Sequence, residues 1–365
     1  MNNVINYSYA NVFTKEGSAA MENTNSKILT YVVLCILIAS MWGGGCFFTG
    51  KTSMKFEDII SPGTQPALEY DGSTGTPTIV ASEGASWMDG KLYFTNINFN
   101  IEKYAGSGMW ILEPGGRCKI SKENVFLVGT TPLGNGNLAA CYTTAEGNKF
   151  IGSIVEITPE SEVVRIIANS CDGLPFGMPN DLCTDSRGGI YFTDPWGGDK
   201  RVLNKQGTAV YYVNAHGKVV RLIDWNEHKF PNGCVVSSDN KKFFLNDDTE
   251  TVWVFDINKD GTLSNKRPFA TLVIPKDSDP KLAGRFGICL ADGMEIDRSG
   301  NLFVTSAVGI QVFDKTGNLL GIIEFQKRTT NLAFGGDDLS ILYVTCHDRI
   351  YSIRTNTKGY KYPIR

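Results

Sequence analysis

Short hydrophobic runs separated by turn-forming residues recur along the chain from about residue 77 onward. The runs are rich in β-branched and aromatic residues, and Asp-Gly or Ser-Gly type turns lie between them. This combination is typical of β-strands joined by tight connections. No stretch of a dozen residues shows helical periodicity. The pattern predicts one large all-β domain over residues 77–365.

One turn-plus-strand unit repeats six times within this domain. Successive repeats begin 46, 52, 53, 59 and 40 residues apart, and their strands start at Leu92, Leu138, Ile190, Phe243, Leu302 and Leu342. Units of about fifty residues match the length of one blade of a β-propeller. We therefore expect an all-β, six-bladed β-propeller around a central channel.

The first 76 residues differ in character from this domain. Residues 1–27 are polar and asparagine-rich, and we expect them to be disordered. Residues 28–50 carry no charge, and 23 such residues are enough to cross a bilayer as a helix. They are interpreted as a signal peptide or a retained membrane-anchor helix, with translation beginning at Met1 or Met21. Residues 51–76, which include Pro62 and Pro66, are interpreted as a tether.

A leader of either kind predicts that the β domain lies outside the cytosol. The protein would then be secreted, periplasmic or attached to a membrane, and Gly45-Cys46 resembles a lipoprotein cleavage site. Seven of the nine cysteines follow the leader. Their odd number and irregular spacing predict neither a zinc site nor a disulfide framework.

The charge balance excludes some partners. The formal net charge is −3 with 20% charged residues, and no basic stripe for binding nucleic acid is present. We expect a monomer that acts on a small molecule.

Polar residues with acceptor oxygens lie nine to eleven residues before five of the six repeated strands. Equivalent positions in a propeller are related by rotation, so these side chains would ring one end of the channel. Oxygen ligands that include two carboxylates are typical of a hard cation such as calcium or magnesium. Zinc is less favoured, because no histidine shares this register. The five residues are Glu83, Asn180, Asn232, Asp292 and Asn331.

A turn is the competing interpretation for two of these positions. Asn232-Gly233 and Asp292-Gly293 are common turn dipeptides, and either one taken alone favours a turn. Glu83 has no turn propensity, and the register shared across the repeats favours a site.

Five separated motifs resemble the senescence marker protein/gluconolactonase/regucalcin family. The resemblance covers about residues 77–357 in the family's order, and implies a six-bladed propeller with a divalent metal, usually calcium, in a central funnel. The motifs begin with Glu83-Gly-Ala-Ser-Trp-Met-Asp-Gly, Pro179-Asn-Asp-Leu, Phe230-Pro-Asn-Gly, Asp292-Gly-Met-Glu-Ile-Asp and Gly309-Ile-Gln-Val-Phe-Asp, the last followed by Thr330-Asn-Leu-Ala-Phe-Gly-Gly.

The resemblance also implies individual roles. Glu83, Asn232 and Asp292 correspond to direct metal ligands, and Asn180 to an asparagine that approaches the metal or the substrate. Asn331 corresponds to a position that is not a ligand. Calcium is the expected ion, with Mg²⁺, Mn²⁺ or Zn²⁺ as alternatives. The chain departs from the family at Ala85, where proline is usual, and in the second repeat, which lacks Asn-Gly before its strand.

This set of residues predicts a metal-dependent lactonase. A cation can polarise the lactone carbonyl, and Asp292 is the expected base for the attacking water. An organophosphate or arylester hydrolase on the same residues is one alternative, and a metal-stabilised binding module without activity is another. Outside this set, Asp194 is expected to line the pocket or to end a strand. Asp247, Asp248 and Glu250 are expected to form a solvated turn.

Overall fold

The computed structural model describes residues 54–98, 106–146, 149–204, 206–225, 227–276, 287 and 289–362. The predicted disordered N-terminus (1–27) and the predicted signal peptide or anchor (28–50) lie outside these described residues. Within the described ranges, no helix is long and apolar enough to cross a membrane. A short 3-10 helix, Phe56–Asp58, precedes the strands.

Six four-stranded antiparallel sheets form the blades of a β-propeller. Blade 1 contains β2 (Ser82–Met88), β3 (Lys91–Asn96), β4 (Gly108–Glu113) and β5 (Arg117–Glu123). Blade 2 contains β6 (Phe126–Pro132), β7 (Leu138–Glu146), β8 (Lys149–Ile157) and β9 (Val163–Ala168). A two-stranded ribbon, β10 (Ser170–Cys171) and β11 (Leu174–Pro175), leads to blade 3, which contains β12 (Leu182–Thr184), β13 (Ile190–Asp194), β14 (Ala209–Val213) and β15 (Val219–Ile223).

The second half of the chain continues the same order. Blade 4 contains β16 (Cys234–Val236), β17 (Lys242–Leu245), β18 (Thr251–Ile257) and β19 (Leu263–Thr271). Blade 5 contains β20 (Met294–Ile296), β21 (Leu302–Ser306), β22 (Gly309–Phe313) and β23 (Leu319–Ile323). Blade 6 contains β24 (Asn331–Gly335), β25 (Ile341–Cys346) and β26 (Arg349–Arg354), together with β1 (Ala67–Asp71) from the start of the domain. The prediction of a six-bladed propeller is confirmed.

The first strand of each blade lines the central channel. Strands β2, β6, β12, β16, β20 and β24 each contact the first strand of the next blade, and β24 contacts β2 to close the ring. Each of six hydrophobic clusters lies between two consecutive blades. Between blades 3 and 4, for example, Tyr191 packs against Phe243 with ring centroids 5.1 Å apart. Burial between blades therefore holds the ring together.

The turns predicted before the repeated strands form by local polar chemistry. Asp89 and Gly90 join β2 to β3 with φ values of 50° and 75°, the pair that a two-residue type I′ hairpin requires. Asp185 joins β12 to β13 in another way, since its carboxylate accepts hydrogen bonds from the backbone of Arg187 and Gly189. Each repeated strand is consequently the second strand of its blade, and the residues upstream of it form the channel-lining strand.

Blade 6 closes the ring with strands from both ends of the domain. Strand β1 pairs antiparallel with β26, with Ala67 opposite Ser352 and Asp71 opposite Arg349. The Arg349 guanidinium donates to the Asp71 carboxylate at 3.2 Å and fixes this register. The structure therefore differs from the prediction of a tether over residues 51–76, because part of that range is the outer strand of the last blade. The propeller begins N-terminal of the predicted boundary at residue 77.

Candidate active site

The four predicted site residues lie at one end of the channel, at the start of channel-lining strands. Asn180, Asn232 and Asp292 each stand two residues before β12, β16 and β20, and Glu83 is the second residue of β2. The Asn180 amide donates to the Asn232 side-chain oxygen. The Asp292 carboxylate contacts the side chains of both Asn232 and Glu83. We call this end of the channel the acidic mouth, defined by Glu83, Asn180, Asn232 and Asp292.

Asn331, which the spacing included and the resemblance excluded, also reaches the acidic mouth. It is the first residue of β24, and its side chain forms a hydrogen bond with Glu83. Its own Oδ1 accepts from the backbone N–H of Leu332 at 2.8 Å. Asn331 is therefore a neighbour that orients Glu83 rather than an open oxygen donor.

Backbone hydrogen bonds hold each site segment against its own second strand. Asn232 N–H donates to Asn246 O at 3.0 Å, and Asp292 N–H donates to Thr305 O at 3.1 Å. Side chains of the same second strands, or just beyond them, reach across to the next blade. Asn246 Nδ2 donates to Asp292 O at 2.6 Å, and Thr305 Oγ1 donates to Thr330 O at 3.0 Å. These hydrogen bonds thus connect consecutive blades at the acidic mouth and fix the backbone that carries the site side chains.

The glycines that follow the site residues permit this close approach between blades. A Cβ at Gly233 would lie 2.1 Å from the Asp292 carbonyl oxygen, and one at Gly293 would lie 2.6 Å from the Asn331 side chain. Neither glycine is among those with positive φ. The turn interpretation of Asn232-Gly233 and Asp292-Gly293 is therefore wrong, because both dipeptides lead into strands and their glycines fit against the neighbouring blade.

Blade 2 has an apolar residue, Val128, at the position of Asn232 in blade 4: Thr95 Oγ1 donates to the Val128 carbonyl oxygen at 2.9 Å, as Thr193 Oγ1 donates to the Asn232 carbonyl oxygen at 2.8 Å. Gly129 N–H donates to the Asn180 carbonyl oxygen at 2.7 Å, and a Cβ at Gly129 would lie 2.6 Å from that oxygen. The second repeat, which lacks Asn-Gly before its strand, thus has Val128-Gly129 instead: the glycine is kept for the close approach between blades, and the polar side chain is replaced by a buried valine.

The electrostatics of the acidic mouth are dominated by two carboxylates in contact. Burial raises the pKa of Glu83 well above its usual range, and the charge of Asp292 raises it further. Burial also raises the pKa of Asp292. Both pKa values are opposed by the positive charge of Arg328, whose Nη2 donates to Asp292 Oδ2 at 2.6 Å. The negative charge of one buried carboxylate disfavours ionisation of the other, and a cation placed between them would offset this repulsion.

Sequence reasoning missed Arg328, which lies between β23 and β24 and belongs to no repeated motif. Its position three residues before Asn331 was the one feature of the sequence that could have indicated a place in the site.

Asp194, for which the sequence allows two roles, is buried and accepts from the backbone N–H groups of Gly177 and Met178 at 2.6 and 3.0 Å. It therefore supports the loop that leads to Asn180.

The predicted solvated turn after β17 is wrong for Asp247. This residue is buried, and its Oδ2 lies 2.5 Å from His228 Nδ1 and accepts from Trp253 Nε1 at 3.2 Å. Lys266 Nζ lies 2.9 Å from the other ring nitrogen of His228. The cluster anchors the segment that leads to Asn232.

A cavity of about 390 Å³ continues along the channel-lining strands away from the acidic mouth. Asp181 and Glu295 line it, and burial raises the pKa of each to about 7. The C-terminal segment reaches this cavity, where the Tyr362 hydroxyl donates to Glu295 Oε1 at 2.6 Å. Nothing in the sequence pattern indicates these partners, since Tyr362 follows the last strand.

The family model described as SMP-30/Gluconolactonase/LRE-like region matches residues 81–348. A gluconolactonase from Zymomonas mobilis is 26% identical over 319 residues, which cover 80% of this chain and 85% of that protein. A solved structure of a gluconolactonase from Xanthomonas campestris superposes with a TM-score of 0.64 at 21% identity, covering 82% of this chain and 92% of that one. The calcium-binding protein regucalcin from Agrobacterium tumefaciens gives a TM-score of 0.61 at 17% identity, covering 82% and 97%.

Proposed function

We propose that this chain, which belongs to the SMP-30/Gluconolactonase/LRE-like family, is a hydrolase that opens the ring of a small sugar lactone. The convergence of Glu83, Asp292, Asn180 and Asn232 at the acidic mouth carries this proposal. Support also comes from the gluconolactonase that resembles this chain over most of both lengths.

The donor set at the acidic mouth fits a divalent cation. Two carboxylates in mutual contact and two carboxamides supply hard oxygen atoms, which calcium and magnesium prefer. Burial is the main cause of the raised pKa values of Glu83 and Asp292, and a bound cation would favour the ionised form of both carboxylates. We propose that Glu83, Asn180, Asn232 and Asp292 hold a divalent cation, with calcium as the first candidate. When bound, such an ion would polarise the lactone carbonyl and stabilise the oxyanion that forms during attack.

Asp292 is proposed as the general base. Its carboxylate contacts both Glu83 and Asn232, so it would lie within reach of a water molecule at the proposed cation. In the proposed step Asp292 takes a proton from water while the water oxygen bonds to the carbonyl carbon. The ring carbon–oxygen bond then breaks, and the ring oxygen takes the proton back from Asp292, leaves as the hydroxyl of the open acid and restores the Asp292 carboxylate. Asn180 and Asn232 would orient the substrate and fix the carboxylates.

The test is a hydrolysis screen of sugar lactones, aryl esters and phosphotriesters, run with calcium and again after chelation. We expect lactone opening that depends on calcium and falls by roughly 10²–10⁴-fold in Asp292→Asn, the range expected for loss of a general base. Asp260→Asn is the matched control, because Asp260 lies in a surface turn and accepts from Thr262.

Thermal unfolding of both variants establishes that the fold persists. Full lactone turnover by a folded Asp292→Asn protein would refute the assigned base. Turnover that is insensitive to chelation would refute the metal. Activity confined to phosphotriesters or aryl esters would replace the lactone with another substrate class.

A further inference from the structure

Arg328 brings a fixed positive charge to the acidic mouth. Its Nη2 donates to Asp292 Oδ2 at 2.6 Å, and its charge also lowers the pKa of Glu83. The Asp292 side chain is 9% exposed and that of Arg328 is 30% exposed, so the ion pair is mostly shielded from solvent. One side chain thus faces both carboxylates of the proposed metal centre.

The backbone around Arg328 is held independently of this ion pair. Thr329 Oγ1 donates to Ser306 O at 3.3 Å, and Thr330 Oγ1 donates to Ser82 O at 2.6 Å. The segment is therefore attached to blades 5 and 1 by the residues that follow Arg328. The arginine side chain can change partner without loss of these attachments.

We propose that Arg328 is the resident counter-cation of the acidic mouth and competes with the divalent cation for Asp292. This inference rests on the proposed function, since it requires that the ion binds beside Glu83 and Asp292. A guanidinium and a metal ion cannot both take the full acceptor capacity of Asp292 Oδ2, and two neighbouring cations repel one another. Metal binding must then displace the guanidinium from this oxygen or tolerate its charge nearby. In either case Arg328 weakens the affinity for the ion while it stabilises the metal-free fold.

Lys327 is a matched control on the same segment. Its Nζ lies 2.7 Å from both carboxylate oxygens of Asp348, so its charge is neutralised away from Glu83 and Asp292. A change of Lys327 to glutamine removes the same unit of charge as Arg328→Gln. Any difference between the two variants therefore reports contact with the acidic mouth rather than net charge.

The experiment is a calcium titration of chelator-treated, full-length protein by calorimetry, paired with thermal unfolding with and without calcium. We expect Arg328→Gln to bind calcium roughly 10-fold more tightly or better, because a cation adjacent to the site is removed. Its metal-free Tm should fall below that of wild type, and its gain in Tm on calcium addition should be larger. Lys327→Gln should stay within roughly two-fold of the wild-type Kd, because its charge is distant and screened. Arg328→Lys keeps the charge and should bind more weakly than Arg328→Gln.

Equal or weaker calcium binding by Arg328→Gln, with wild type binding normally, would overturn the role of Arg328 and leave the proposed metal site intact. An Arg328→Lys affinity equal to that of Arg328→Gln would contradict the charge argument. Absence of binding in wild type, Arg328→Gln and Asp292→Asn alike would refute the metal site itself. Binding by Arg328→Gln alone would support the competition in its strongest form.

Discussion

Replacement of Gly233 by alanine should disturb the acidic mouth without removing any polar group of the site. The new Cβ would lie 2.1 Å from the Asp292 carbonyl oxygen and 2.9 Å from Asn246 Nδ2, whereas ordinary contacts begin near 3.4 Å. Relief of the first contact requires the Asp292 backbone to move by roughly 1 Å, since the carbonyl oxygen belongs to the backbone and not to a flexible side chain. A displacement of that size at a reacting group can reduce the rate by roughly 10²-fold.

The same substitution should also destabilise the fold. Overpacking of a filled interior costs about 1–3 kcal/mol, and for a domain of this size that lowers Tm by roughly 2–5 °C. Lactone turnover and thermal unfolding of Gly233→Ala measure the two effects separately. Gly217→Ala is the control, because Gly217 has a φ of +80° but no atom lies within 4 Å of the position that its new Cβ would take. It should lose about 1 kcal/mol from backbone strain and keep its activity.

Wild-type kcat/KM and Tm in Gly233→Ala would refute the argument. That result would mean that blades 4 and 5 can separate at the mouth without cost. It would also restore the simpler interpretation of Asn232-Gly233 as a replaceable turn dipeptide.

Two further predictions concern buried polar groups. Asn246→Ala leaves the Asp292 carbonyl and the Gly233 N–H without their hydrogen-bond partners. The free energy of unfolding in urea should fall by about 2–4 kcal/mol with an unchanged m value. A fall of less than about 1 kcal/mol would contradict this role of Asn246. The pKa of Glu295 is raised from 4.5 to about 7 by burial. Since the protonated acid is favoured in the folded state, its stabilising contribution is complete below about pH 4.5 and is lost as the pH rises through about 7. Glu295→Gln should therefore show a smaller fall in Tm than wild type between about pH 5 and 8, and parallel curves for the two proteins would count against the assignment.

Much of the fold could be predicted from the sequence because a propeller repeats one short local pattern. Each blade encodes its turn and second strand within a short window, so six repeats reveal six blades. The oxygen-bearing residues could be found for the same reason, since each lies at a constant distance from its strand. Because the blades form a ring around the channel, residues at the same position in different blades lie close together.

What the sequence could not reveal depends on contacts between distant segments. Arg328 and Tyr362 act from connections whose path is set by the whole ring, and no repeat contains an equivalent of either. Pro62 and Pro66 indicate a loop, so the sequence predicts a tether where β1 forms, and the partner strand β26 lies about 280 residues away in the chain. Acidic clusters favour turns, which predicts Asp247 in solvent, yet His228 packs against it from another connection.

The closure of blade 6 by β1 separates two definitions of the same domain. The stretch that the family model matches, residues 81–348, begins after β1 and ends at the start of β26. That stretch would contain five complete blades and half of a sixth, whose unpaired edge would be open to other strands. The matched stretch and the structural domain therefore have different ends, because the sixth blade takes one strand from each side of that stretch. The terminal segments of the propeller pair in one sheet, so hydrogen bonds between its first strand and its last close the ring.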